Sequence, residues 1–482
     1  MKNKHLIFII IGIITLIRLI YINYLPLLGD EAYYWQWARH LDWGYYEQGP
    51  MTALVIWIFT FFTKINTVFT IRLGAVLLSL ATMITAYFTY KRFKPSDTAD
   101  KENLLNTLLM NSSLIYAIGS VLMMHDTVMV FFYALFLYSL TYIIEEPENN
   151  IHWGHAGILL GLGIMSKLTM GTVYLGVATF LLLTGTFKKY LKGFIFFTLF
   201  TVLLTLPYIY WNFVHDFATV KYLFIRGGSQ SGFTLKFFIE LLGSQAGLIS
   251  PMLFILFIPV FIKNIKKPAF NLDFAFATLF WVTIIPFFIL SLKNRVEANW
   301  PAFTFLPLFF LATGYLSSLK TRIFNVVSPA VILSGMLIII FAFIQAVNPI
   351  FIIPEKYNPL KKTYGFKELA AGVDAEYQRL PAKDRTFLSS RHYQMSSLLG
   401  FYMPKQPEFY ILIKHESNKN YRFWTGYEKL HGFNCLFVYS EPWESWEMAE
   451  FFKTRIFTKE IDVAIPGISM RKYYMDYFEG LK

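Results

Sequence analysis

The sequence predicts an α-helical polytopic membrane protein of about eleven transmembrane helices, followed by a small C-terminal α/β extracytoplasmic domain. Three observations lead there. The 482 residues are 55% hydrophobic and only 15% charged, with a mean hydropathy of +0.46, whereas a soluble chain carries roughly a quarter charged residues. Apolar runs of membrane-spanning length recur from residue 6 to residue 346. After Pro349 the composition changes to a charged stretch with short alternating runs such as Phe409–Ile413 and Cys435–Tyr439. The domains expected are therefore 1–349 in the membrane, with a first external loop at 26–65, and 350–482 outside it.

The formal net charge of +12 is read by location. In a membrane protein, surplus Lys and Arg mark cytoplasmic loops, so no nucleic-acid partner is expected. The lone Cys435 rules out an internal disulfide or a cysteine metal cluster. Lys2, Lys4 and His5 precede an apolar run from 6 to about 25. That run is too long for the apolar core of a cleaved leader and reads as a signal anchor with a cytoplasmic N-terminus.

Taken in order, the first span covers 6–25 and ends at Pro26. Residues 30–41 have helical spacing, and 51–62 form a short apolar helix closed by Lys64. Further spans are expected at about 66–90, 103–122, 127–144, 153–168, 170–186, 193–211, 235–262, 272–291, 301–317 and 323–346. One set of loops carries Lys91-Arg92-Lys94, Lys188-Lys189-Lys192, Lys263-Lys266-Lys267 and Lys320-Arg322, which places it in the cytoplasm. The other set holds Asp30-Glu31, His125-Asp126, Lys167, Arg226 and Arg295–Asn299. The unusual polar residues thus converge on the non-cytoplasmic face. A helix over Phe366–Arg379 is expected to open the C-terminal α/β domain.

The stretch Leu28–Pro50 is the richest in chemistry. It holds four acidic residues (Asp30, Glu31, Asp42, Glu47) and seven aromatics, Tyr34 among them. Trp and Tyr gather at headgroup depth in any case, so the aromatics alone fit an interfacial belt. An acidic pair at a membrane face is costly and points to function. A carboxylate can take a proton from an attacking hydroxyl. Lys167, Arg226 and Arg295 can hold a phosphate and stabilise it as it leaves. Aromatic faces can support a sugar or an isoprenoid chain. Together these suggest group transfer from a lipid-linked phosphate to a hydroxyl. No glycine loop for a nucleotide phosphate is present. A transporter of lipid-linked sugars is the rival class, but transporters place polar residues at the bilayer midplane, often in inverted repeats. Asp126 at a helix start also suits an ordinary cap, and Lys167 a snorkelling helix end.

The motifs Gly29–Trp35 (GDEAYYW), Gly44–Pro50 (GYYEQGP), His125-Asp126, Gly161–Gly171 (GLGIMSKLTMG), Gly243–Pro251 (GSQAGLISP), Glu297–Phe303 (EANWPAF) and Arg391–Pro404 (RHYQMSSLLGFYMP) resemble those of bacterial GT-C fold glycosyltransferases. The group is the one related to protein O-mannosyltransferases and to the lipid A aminoarabinose transferase. The resemblance runs over nearly all of the chain. It implies a polyprenyl-phosphate sugar donor, undecaprenyl in kind, and inversion at the anomeric carbon. The acceptor would be lipid A, core oligosaccharide or a similar envelope glycolipid, reached at the periplasmic side of the bacterial inner membrane. Protein Ser or Thr is the alternative acceptor. Asp30 matches the catalytic carboxylate and takes the role of general base; Glu31 would orient the acceptor or the base. Lys167 matches a lysine expected near the donor phosphate, with Arg295 and Arg226 as further cations. Tyr34, Glu47, His125, Asp126, Glu297 and Asn299 are the candidate substrate contacts. Relatives that modify lipid A often carry a lysine where Gln48 stands, and Gln48 cannot supply that charge. No cofactor is firmly implied, and a carboxylate-bound divalent cation at Asp30 stays open.

Overall fold

A computed structural model describes residues 2–482 apart from 97, 228–231, 265–267, 352, 354–362, 413–415, 425 and 466–467. The chain divides into two compact units. The first takes Met1–Ile22, Asp42–Val55 and Arg72–Phe343; the second takes Asn23–Leu41, Ile56–Ile71 and Ile344–Lys482.

Among the described residues, six helices are long and apolar enough to cross a bilayer: Lys4–Tyr21, Val68–Phe93, His125–Glu145, Leu191–Val214, Leu272–Ser291 and Thr321–Val347. A seventh span arises if Lys236–Ile249 and Pro251–Lys263, bent by 106° at their junction, count as one. The helical membrane fold agrees with expectation, and the count of about eleven spans is not confirmed by helix length alone. The remaining expected spans are short or broken, for local reasons. The run at 103–122 divides into Ala99–Asn111 and Leu114–Gly119, where the Ser112 hydroxyl donates to the Leu109 carbonyl at 2.8 Å and competes with the helical ladder. The run at 235–262 bends where Ser250 takes φ 95° ahead of Pro251, which has no N–H to donate. The run at 153–168 becomes Asn150–Ser166, 17 residues long, because Lys167 turns to extended backbone.

Close helix packing in the first unit rests on small residues. A Cβ on Gly157 would lie 2.4 Å from the Phe197 carbonyl oxygen, and one on Gly161 would lie 2.7 Å from the Leu204 Cβ. Helices Asn150–Ser166 and Leu191–Val214 therefore approach backbone to backbone at Gly157, and the Thr201 hydroxyl donates across to the Gly157 carbonyl at 3.2 Å.

The second unit contains a five-stranded sheet of β1 (Thr386–Ser390), β2 (Phe409–Tyr410), β3 (Asn434–Tyr439), β4 (Phe452–Ile465) and β5 (Ile468–Leu481), in the order β2-β1-β3-β5-β4. β1 runs parallel to β2 and β3, with Leu388 opposite Leu436. β5 is antiparallel to both β3 and β4. The expected helix appears as Phe366–Arg379. Helix Tyr393–Tyr402 packs on helix Gly29–Arg39, with Trp35 and Phe401 edge to face at 5.2 Å.

Cys435 on β3 is fully buried, and burial pushes its thiol well above the usual range. Only the thiolate is reactive. Cys435 is therefore expected to resist maleimide at neutral pH in the folded protein and to be labelled fully after denaturation, as read by intact mass.

Candidate active site

Asp30 is the second residue of helix Gly29–Arg39, at the end of the helix dipole that favours an anion. Its neighbour Glu31 serves differently, because adjacent helical residues do not share a face. Glu31 is fully buried, and its Oε2 accepts the Leu28 N–H at 3.1 Å, which closes the first turn. Asp30 is only half-buried. Its Oδ1 accepts the Tyr393 hydroxyl at 3.0 Å and the Gln394 Nε2 at 2.9 Å. Among the described residues Oδ2 accepts no hydrogen bond. Lys419 Nζ donates to the Tyr393 oxygen at 2.7 Å and lies 4.0 Å from the ring centroid. A chain of donors thus runs Lys419 to Tyr393 to Asp30, with one carboxylate oxygen held and the other left over.

Aromatic rings line this part of the second unit. Tyr33 meets Tyr393 edge-on at 4.7 Å, and its oxygen accepts the Asn420 N–H at 2.8 Å. Tyr34 is buried and packs on Trp37 at 5.1 Å. Its place is within this aromatic cluster rather than on an open surface.

The first unit gathers a second set of the expected residues. Asp126, in the first turn of helix His125–Glu145, accepts Lys167 Nζ on Oδ1 at 2.7 Å and Asn299 Nδ2 on Oδ2 at 2.9 Å. The Lys167 side chain is 5% exposed and that of Asp126 is 16% exposed, so the lysine does not snorkel. His125 Nδ1 lies 2.7 Å from the Thr52 hydroxyl. Glu47 is buried, with Oε1 accepting the Tyr222 hydroxyl at 3.2 Å. Gln48 Oε1 accepts the Leu168 N–H at 3.2 Å. A Cβ on Gly49 would lie 2.2 Å from the Met165 carbonyl oxygen. The Gly44–Pro50 motif is thereby clamped onto the turn that carries Lys167.

Of the other expected residues, Arg295 is exposed and Glu297 half-buried. The side chain of Arg226 lies outside the described residues. Among the described residues no three His, Cys, Asp or Glu side chains gather as a metal site. Sequence reasoning missed Tyr393, Gln394 and Lys419 as partners of Asp30. The motif Arg391–Pro404 is visible in the sequence, but nothing local ties it to a carboxylate 363 residues earlier.

Tyr393→Phe removes one of the two donors to Asp30 Oδ1 while keeping the ring. A hydrogen bond to a charged group contributes about 1.5–3 kcal/mol. Turnover is expected to fall roughly tenfold or more with little change in KM, a split that assays at varied donor concentration would show.

The long apolar helices together with a small mixed sheet fit the GT-C fold expected from the sequence. The structural comparisons agree. ArnT from Cupriavidus metallidurans, solved bound to undecaprenyl phosphate, superposes with a TM-score of 0.69 at 13% identity, covering 97% of this chain and 97% of that one. Its apo form gives 0.67 at 12% identity over the same shares. Residues 47–211 match the dolichyl-phosphate-mannose-protein mannosyltransferase family. Lipid A galacturonosyltransferase RgtD of Rhizobium johnstonii is 26% identical over 307 residues, 62% of this chain and 63% of that protein. The resemblance drawn from the motifs therefore holds for the fold over nearly the whole chain.

Proposed function

We propose that this chain is an inverting glycosyltransferase. It moves a sugar from a polyprenyl phosphate, undecaprenyl in kind, to lipid A or a related envelope glycolipid. The observation that carries the reading is Asp30, half-buried at a helix start, with Oδ1 fixed by Tyr393 and Gln394 and Oδ2 left to accept a proton. The likeness to a lipid A galacturonosyltransferase supports the acceptor class, and the shared fold with ArnT bound to undecaprenyl phosphate supports the donor class.

In this mechanism the acceptor hydroxyl oxygen attacks the anomeric carbon. Asp30 takes the hydroxyl proton. The anomeric carbon–oxygen bond to phosphate breaks, and the lipid phosphate leaves with both bonding electrons. One displacement inverts the anomeric centre, whereas retention would need a carboxylate nucleophile at the sugar. Lys167, Arg295 and Arg226 are assigned to the leaving phosphate. Lys167 is ion-paired with Asp126, so it would act together with Asp126 and Asn299. Glu47, His125 and Glu297 complete the substrate contacts. Residues 1–349 form the membrane domain and 350–482 a periplasmic domain, with the N-terminus cytoplasmic, a placement supported by the basic loops at 91–94, 188–192 and 320–322.

Mass spectrometry of lipid A, core glycolipid and envelope proteins from bacteria with and without the chain tests this reading. One sugar mass missing from one glycolipid in the deleted strain is the expected result and identifies sugar and acceptor together. A glycolipid profile unchanged while a protein loses a sugar would replace the glycolipid acceptor by a protein. No change in either would overturn the transferase reading.

A further inference from the structure

Lys419 stands in a backbone conformation that side-chain-bearing residues avoid. Within the short helical segment Glu416–Arg422 it takes φ 49° and ψ −124°. That is the first central position of a type II′ turn, where glycine dominates. A lysine there is strained, and such strain persists only where the surroundings hold it in place. Here they do. The flanking Asn418 and Asn420 are buried. The Asn420 N–H donates to the Tyr33 oxygen at 2.8 Å, and the Tyr421 and Ser397 hydroxyls share a hydrogen bond of 3.0 Å. Tyr33 belongs to helix Gly29–Arg39 and Ser397 to helix Tyr393–Tyr402. The strained turn is thereby fastened to both of the helices that meet at Asp30.

What the strain achieves is the placing of one ammonium group. Lys419 Nζ lies 5.6 Å from the ring centroid of Tyr33 and 4.0 Å from that of Tyr393, and it donates to the Tyr393 oxygen at 2.7 Å. A lysine that only keeps its charge solvated needs no such backbone. A tyrosine hydroxyl can donate or accept, whereas an ammonium can only donate. With Lys419 donating, the Tyr393 oxygen accepts, and the hydroxyl proton is directed to Asp30 Oδ1 at 3.0 Å. Without the ammonium the hydroxyl is free to turn to water instead.

We propose that Lys419 is a positioning residue for sugar transfer. Its ammonium commits the Tyr393 proton to Asp30 Oδ1 and so leaves Oδ2 as the oxygen that receives the acceptor's proton. The inference rests on Asp30 as the proposed base. It adds that the backbone strain at position 419 is retained for turnover and not for stability.

The test uses the purified full chain, with the polyprenyl-phosphate sugar that the lipid A spectra identify as donor. Lys419→Gly removes the ammonium and suits the backbone. It is expected to lower kcat about fivefold to tenfold, the range of a lost charge-assisted hydrogen bond, with KM for the donor unchanged. Its melting temperature should equal or exceed that of the natural chain. Lys419→Met keeps the strain and the stem while losing the donor, and should lose kcat by a similar factor. In a Tyr393→Phe background, Lys419→Gly should cost nothing further, because the lysine acts through that hydroxyl. The proposal is overturned if both Lys419 variants turn over as the natural chain does. It is also overturned if Lys419→Gly loses the same factor with and without the Tyr393 hydroxyl, or if its loss of rate comes with a lower melting temperature. An inactive Asp30→Asn beside a fully active Lys419→Gly would sink this inference alone. An Asp30→Asn of natural rate would sink the base assignment and this inference with it.

Discussion

Asp30→Asn is expected to lower sugar transfer by about 10²–10⁴-fold, the range that general bases contribute. The substitution keeps the size and planarity of the side chain. The amide oxygen can still accept from Tyr393 and Gln394, so the contact between helices Gly29–Arg39 and Tyr393–Tyr402 should survive. What disappears is basicity at the second oxygen, because an amide does not take the acceptor's proton. The melting temperature should stay within a few degrees, and donor affinity should hold. Turnover of a polyprenyl-phosphate sugar by the purified variant decides the matter. A rate near that of the natural chain would remove Asp30 from the chemistry.

Asp126→Ala is expected to destabilise the first unit by about 3–5 kcal/mol, because it leaves the Lys167 ammonium buried without its partner. Asn299 would lose its acceptor in the same change. The effect should appear as a large drop in melting temperature in detergent. Replacing the pair together, Asp126→Leu with Lys167→Met, should recover most of that loss, since a buried pair exchanged for apolar groups is often neutral. This double variant also separates two roles of Lys167. If the lysine only holds the turn after helix Asn150–Ser166, the refolded pair variant keeps its donor affinity. If it also meets the donor phosphate, stability returns while KM for the donor rises. Failure of Asp126→Ala to destabilise would contradict the buried ion pair itself.

The candidate residues were legible in the sequence, and their partnerships were not. An acid pair beside an apolar span is visible because charge is costly there. The division of labour between Asp30 and Glu31 depends on which one faces inward, and that is set by packing against Tyr393–Tyr402. Lys167 read as a free cation, because Asp126 lies 41 residues away. The helix Phe366–Arg379 and the strand at Cys435–Tyr439 carried clear periodic signals. The long β4–β5 hairpin did not. Segments such as Lys459–Asp462 mix charged and apolar residues without strict alternation, and β4 breaks register twice against β5. The lengths of the helices were less legible, because composition alone does not register a serine or proline that interrupts an apolar run.

The second unit recruits Asn23–Leu41 and Ile56–Ile71 from the start of the chain and joins them to residues beyond 343. A ribosome delivers these parts far apart in time. The carboxylate at position 30 emerges early, whereas its donors at 393, 394 and 419 arrive only after every membrane helix has been made. The nascent chain can therefore insert while Asp30 is still unsupported, and the base proposed at that position would be complete only at the end of synthesis. A message truncated after residue 350 should yield an inserted but inactive product.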